Sequence, residues 1–208
     1  MKIFMHYCTY GFSNCYILGT DLYDNDSRRD AIVVDPGCME EPMLKFIERH
    51  GYILRGVLIT HDHVNHVHGL RTLKRIYDVN VYALNPVVQE HKTCLVKDGD
   101  TICLDSITVE VIAVPGHTSD SAVYRTGHTI FTGDCLSAGL VGKTSHSYGS
   151  TIQMNALRGK VLSLPGNYII LPGHGPPSTM DAERRFNWGI SSFEQDKTRK
   201  PRFTGEFD

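Results

Sequence analysis

Four short clusters rich in histidine and aspartate, each falling just after a run with the apolar pattern of a β-strand, restrict the folds open to this chain more than any other feature. They are His61-x-His63-x-Asn65-His66, Pro115-Gly116-His117-Thr118, Gly133-Asp134 and Pro172-Gly173-His174-Gly175-Pro176. Strands that repeatedly end in His or Asp bring those side chains to one rim of a layered sheet, where open α/β folds hold ligands. Neutral imidazole suits zinc, iron, copper and nickel, and a carboxylate between two imidazole sets can bridge two ions. The expectation is therefore a metal site at the ends of strands.

The apolar period supports a layered sheet. Ile3–Cys8 and Asn14–Leu18 read as a hairpin around Tyr10-Gly11-Phe12, and Ala31–Val34 runs into the turn Asp35-Pro36-Gly37. Met43, Leu44 and Ile47 give Glu40–His50 one apolar helix face, with Gly51 placed to stop it. Gly56–Ile59 is a buried strand leading into the first histidine cluster, and Leu70, Leu73, Ile76 and Tyr77 return to helical spacing. Strands are expected at Val81–Ala83, Thr101–Leu104, Ile107–Val114, Ala122–Arg125, Thr129–Thr132 and Tyr168–Leu171, and helices at Ala156–Leu164 and Thr179–Trp188. One domain over residues 1–190 and a polar tail over 191–208, carrying the basic run Lys197–Arg202, complete the expected organisation.

Composition narrows the partners. A chain of 208 residues can bury roughly 70% of its unfolded surface and needs no disulfide staples. A net charge of −2 offers no basic field for nucleic acid or an anionic membrane surface. No apolar run approaches the ~20 residues that span a bilayer, and Met1–Tyr10 lacks a secretory pattern, so a cytoplasmic location is expected. The six cysteines show no C-x-x-C spacing and read as small buried apolar residues.

In this order the clusters resemble the metallo-β-lactamase superfamily. The supporting residues are Val34-Asp35-Pro36-Gly37, Thr60-His61-x-His63-x-Asn65-His66, Pro115-Gly116-His117-Thr118, Phe131-Thr132-Gly133-Asp134 and Pro172-Gly173-His174-Gly175-Pro176. The stretch Gly133–Lys143, with Pro172–Pro176 and Glu183-Arg184-Arg185, looks most like the short glyoxalase II-like members. The resemblance implies an α/β fold, a four-layer αββα sandwich with a dinuclear site at one edge. It implies that His61, His63 and His117 hold the first ion, that His66 and His174 hold the second, and that Asp134 bridges them.

The departure is Asn65, where the family pattern has Asp. An amide brings no negative charge, so the second ion should bind more weakly and a metal-bound hydroxide loses an orienting carboxylate. Five histidines and one aspartate form a nitrogen-rich set that resembles the ligand balance of hemerythrin, an unrelated di-iron protein that binds dioxygen reversibly. Flavodiiron proteins of the superfamily resemble the site too, but these 208 residues hold no flavodoxin-like or rubredoxin-like segment. The expectation drawn from this is two iron ions with a bridging oxo, hydroxo or peroxo group, binding dioxygen and reporting to a signalling or redox protein partner. The competing expectation is two zinc ions in a glyoxalase II-like thioester hydrolase, and a homo-oligomer is expected in either case.

Secondary candidates follow from the same resemblance. His146 and Tyr148 fall in the loop that borders the substrate pocket of glyoxalase II-like relatives, and together with Asn65 they are the expected catalytic residues. Lys143 matches a basic position near an anionic substrate. His68 is read either as supporting a ligand or as starting a helix, and Asp62 either as hydrogen-bonding a ligand histidine or as capping that helix. His6, His50, His91 and His128 lie outside the motifs and are read as structural.

Overall fold

The computed structural model describes residues 1–20 and 29–192. Strands β1 (Lys2–Cys8), β2 (Ser13–Gly19), β3 (Arg29–Val34), β4 (Tyr52–Leu58), β5 (Asn80–Ala83) and, past the small hairpin β6 (Val87–Val88) and β7 (His91–Lys92), β8 (Cys94–Leu95) build one sheet in the order β1-β2-β3-β4-β5-β8. Strands β9 (Thr101–Leu104), β10 (Ile107–Ala113), β11 (Ala122–Thr126), β12 (Thr129–Gly133) and, past the hairpin β13 (Leu136–Ser137) and β14 (Leu140–Val141), β15 (Ile169–Pro172) and β16 (Ser178–Thr179) build the other, in the order β16-β15-β12-β11-β10-β9.

Side-chain alternation turns these sheets into four layers. On β3, Ala31 and Val33 face a core that includes Met43 and Ile47 of α1 (Glu41–His50) and, past α2 (Val64–Val67), Leu70 and Leu73 of α3 (Leu70–Ile76). Ile32 and Val34 face the opposite way, into a core between the sheets with Val109, Tyr124, Phe131 and Leu171. A third core joins Val123, Ile130 and Ile170 to Met180 of α5 (Met180–Phe186) and to the turn of π-helix Leu157–Val161 that extends α4 (Ser147–Ala156). The αββα sandwich read from the sequence is thus present, each layer sealed by side chains worth roughly 1.5–3 kcal/mol apiece when fully buried.

Strand direction then fixes one functional edge. In the second sheet β11 is antiparallel to both β10 and β12, and β15 is parallel to β12, so β10, β12 and β15 all end at the same side. His117, Asp134 and His174 follow those three ends. Across the sandwich β3, β4 and β5 are parallel, and His61 follows the end of β4.

Several local expectations are corrected. The helix read at Ala156–Leu164 starts at Ser147, because His146 caps it by accepting the Gly149 N–H on Nδ1 at 2.9 Å and because Gln153 and Met154 bury its inner face. His146 and Tyr148 therefore sit at a helix start and not in a free loop. Cys94 and Cys103 are exposed on short strands, whereas Cys8, Cys15, Cys38 and Cys135 are buried as expected. Residues 188–192 are helical, so the boundary expected at 190 cuts a helical turn; the rest of the expected tail, with Lys197–Arg202, lies outside the described residues. No helix among the described residues is long and apolar enough to cross a membrane.

Candidate metal centre

Buried hydrogen bonds hold the four ligand-bearing loops in place. Tyr124 Oη donates to the Ile59 carbonyl at 2.9 Å and Ala122 N–H to the Thr60 carbonyl at 2.7 Å, which ties the His61 loop to the second sheet. Asn14 Nδ2 donates to the carbonyls of Pro172 and Gly175, and Tyr16 Oη also donates to Pro172, clamping the His174 loop onto β2. Two glycines are required by space. A Cβ on Gly173 would lie 2.4 Å from Asp134 Oδ1 and 2.6 Å from His66 Cε1, and Gly133, at φ +48°, packs directly against Thr60.

The loops deliver two donor clusters that share Asp134. One comprises His61, His63, His117 and Asp134, the other His66, Asp134 and His174. Asp134 Oδ2 lies 3.8 Å from His61 Nε2, 3.6 Å from His117 Nε2 and 3.5 Å from His174 Nε2, while Oδ1 lies 3.4 Å from His66 Nε2. A carboxylate spanning both sets is the arrangement expected of a bridge.

Outer partners fix which ring nitrogen faces inward. His117 Nδ1 faces the Lys143 carbonyl at 2.7 Å and His174 Nδ1 the Phe12 carbonyl at 2.8 Å; a carbonyl only accepts, so both Nδ1 atoms carry the hydrogen and both Nε2 atoms are bare. Thr60 Oγ1 donates to Asp35 and so accepts from His61 Nδ1, leaving His61 Nε2 bare as well. Yet His61 Nε2 and His117 Nε2 lie 2.9 and 3.2 Å from His63 Nδ1, which can offer a hydrogen to only one of them. His66 Nε2 and Asp134 Oδ1 are buried without an aligned hydrogen-bond partner. Converging lone pairs and orphaned buried atoms are costly unless a cation satisfies them, so these residues fit a pair of metal ions.

Titration behaviour agrees. Burial, reinforced by the neighbouring His66, pushes His61 down to about 2, so it is neutral and ready to ligate. Burial opposes charge on His66 too, but the carboxylates of Asp134, 3.4 Å from Nε2, and Asp35, which accepts from Nδ1, override it and raise His66 to about 10. Burial would raise Asp134; the close, charged imidazole of His66 outweighs it and holds the carboxyl well below the usual range. A cation entering the second cluster therefore displaces the His66 proton.

The sequence model of the metallo-beta-lactamase superfamily matches residues 8–174, most of the chain and every ligand above. The chain belongs to this superfamily. Among its relatives, the hydroxyacylglutathione hydrolase of Shewanella denitrificans is 38% identical over 148 residues, 69% of this chain and 56% of that protein. The chain thus spans little more than half of that enzyme. ETHE1 from Myxococcus xanthus superposes with a TM-score of 0.79 at 24% identity, covering 97% of this chain and 93% of that one. TTHA1623, solved in a di-iron-bound form, superposes at 0.73 and 23% identity, covering 89% and 98%. These two structures support the fold, and the superfamily membership fits a metal-binding, hydrolase-like chain of glyoxalase II type.

Within this superfamily member the remaining candidates take definite places. Asn65 lies at the second cluster, its Nδ2 donating to His174 Nε2 at 2.9 Å, while its carbonyl accepts from Ser13 Oγ at 2.5 Å. His146 and Tyr148 line a cleft of about 390 Å³ together with Gly116, His117, Thr118 and Ile152, immediately beside the first cluster. Lys143 contributes its backbone carbonyl to His117, and its side chain is exposed. His68 is exposed and stacks on Tyr10 with ring centroids 4.1 Å apart. Asp62 does not cap α2, where His63 holds the N-cap position; its backbone N–H donates to Asp120.

Two residues matter more than the sequence reading gave them. Asp35 is buried, accepts from Thr60 N–H and Oγ1, and faces His66 Nδ1 at 3.1 Å, so it orients a ligand histidine. Asp120 accepts from Asp62 N–H and from Asn85 Nδ2, bracing the His61–His63 loop. The turn Asp35-Pro36-Gly37 was visible in the sequence, but an aspartate there reads first as turn chemistry.

Proposed function

We propose that this chain is a dinuclear metal-dependent hydrolase acting on thioesters, in the manner suggested by its hydroxyacylglutathione hydrolase relatives. The observation that carries the reading is the two-cluster geometry around Asp134 with a cleft opening beside His117. When bound, two divalent ions supply Lewis acidity toward a carbonyl and acidify water toward neutral pH. The chain's own groups do the rest. Asp35, Lys143 and Phe12 fix the ring tautomers, so the ligand set is preorganised and costs little to assemble. The Asn65 amide, lying against His174, can turn its N–H toward a substrate oxygen once His174 Nε2 is otherwise engaged. His146 and Tyr148 lie on the cleft wall, where Tyr148 Oη can meet an acyl or peptide-like group.

The test is turnover of S-lactoylglutathione and simpler acyl thioesters by protein carrying two metal ions per chain. Measurable kcat/KM that is lost on His117→Ala supports the reading. Fully loaded protein inert across thioesters and esters overturns it.

One observation favours a second reading. With Asn65 in place of a carboxylate, the centre offers five imidazoles and a single carboxylate, a donor set suited to ferrous iron and to holding dioxygen without consuming it. In that reading the chain reports oxygen to a protein partner. Iron-loaded protein should then gain a visible absorption band on oxygenation that disappears on anaerobic reduction. Two irons per chain with a spectrum indifferent to oxygen overturns it.

A further inference from the structure

A second group of potential ligands lies apart from the centre described above. His6 on β1, Cys38 in the loop entering α1 and Glu40 at the start of that helix place an imidazole nitrogen, a thiol sulfur and a carboxylate oxygen within 4.8 Å of one another. His6 Nε2 and Glu40 Oε2 are already 2.9 Å apart. A tetrahedral zinc-class ion, with bonds of roughly 2.0 Å to N and O and 2.3 Å to S, needs donors about 3.2–3.8 Å apart. The His6–Glu40 separation falls just below that range and no donor pair exceeds 4.8 Å, so movements of about an ångström would seat an ion.

The surroundings favour such a site. Cys38 is held in position: the Gly69 N–H donates to the Pro36 carbonyl, and a Cβ on Gly69 would lie 2.4 Å from the Cys38 carbonyl carbon. A second sulfur is buried in the same core cluster, that of Cys8 at the end of β1. Glu40 is partly exposed and gives an ion a route in from solvent.

We propose that His6, Cys38 and Glu40, backed by Cys8, bind a third metal ion of the zinc class at the junction of β1 and α1. Binding forms a metal–thiolate bond and releases the thiol proton to solvent, with no change of oxidation state. The ion would staple the edge strand to the first helix, one loop away from Asp35.

Sulfur makes the test selective, since the dinuclear centre contains none among its candidate ligands. Full-length, metal-free protein with its thiols assayed as reduced is titrated with Co²⁺, reading bound metal per chain and near-ultraviolet thiolate-to-cobalt absorption. The expected result is a third cobalt accompanied by that absorption. Cys38→Ser should remove both and His6→Gln should weaken both at least tenfold, while Cys135→Ser leaves them unchanged. The d–d spectrum of the dinuclear centre serves as the control that each variant is folded. Saturation without thiolate absorption, or absorption that survives in Cys38→Ser, overturns the proposal. Neither result depends on whether the dinuclear centre hydrolyses anything.

Discussion

Replacing Asp35 by Asn tests whether the buried carboxylate prepares His66 for a metal. Asp35 uses Oδ1 to accept the Thr60 N–H at 2.8 Å, and Oδ2 to accept both Thr60 Oγ1–H at 2.6 Å and the His66 Nδ1–H at 3.1 Å. An amide has one acceptor atom. If its oxygen stays toward His66, its NH₂ meets the Thr60 N–H and leaves buried donors unpaired, which costs about 1–3 kcal/mol. If it flips, its NH₂ faces His66 Nδ1, and the imidazole must move its proton to Nε2, where it blocks ligation. The charge that helps raise His66 to about 10 is lost in both orientations. Loss of such an outer partner lowers metal affinity about 10–100-fold, or roughly 1.4–2.7 kcal/mol. The assay is a chelator-buffered Zn²⁺ titration resolving two binding steps, paired with denaturant unfolding of the metal-free protein. The second step should weaken by that factor and the first by less, since Asp35 reaches His61 only through Thr60. Asp35→Asn protein that binds both ions within threefold of the parent would refute the assignment of Asp35 as the residue that orients His66.

Other consequences can be checked alongside. Because His66 is raised to about 10 from an ordinary value near 6.5, its charged pairing stabilises the metal-free fold fully below pH 6.5, and that contribution is lost as pH rises through about 10. The second ion must displace this proton, so its affinity should climb about tenfold per pH unit between pH 7 and 9, and a flat profile in buffered titrations would contradict the coupling. Asn65→Asp supplies the missing carboxylate and should tighten the second ion by on the order of tenfold while raising any thioester turnover; unchanged affinity and rate would mean that residue 65 does not reach the metals. Gly173→Ala places a methyl 2.4 Å from Asp134 Oδ1 and should lose the second ion while keeping its far-ultraviolet dichroism; normal two-metal binding would show that the His174 loop yields easily.

What the sequence disclosed and what it withheld divide along a physical line. The strands and their polar ends were legible because short apolar runs such as Ala31–Val34, closed by a turn, read as buried strands, and because histidine is rare enough that its placement after three strand ends, with Asp134 after a fourth, demands a common cause. The start of α4 was hidden: Ser147-Tyr148-Gly149-Ser150-Thr151 has weak helix propensity, and its helix exists because His146 caps it and because Gln153, bonded to the Cys135 and Gly142 carbonyls, and Met154 are buried. The same tertiary dependence concealed Asp35 and Asp120, whose partners lie 25 to 58 positions away. It also concealed the meeting of His6 with Cys38 and Glu40, which pairs a residue set aside as structural with a thiol read as packing. Metal ligands announce themselves by residue type, whereas the groups that orient them are ordinary polar residues made functional by long-range contacts. A sequence therefore names the atoms that would touch an ion more readily than those that decide how tightly it is held, and the perturbations of greatest diagnostic value here, at Asp35, Asn65 and Gly173, fall mostly on the second kind.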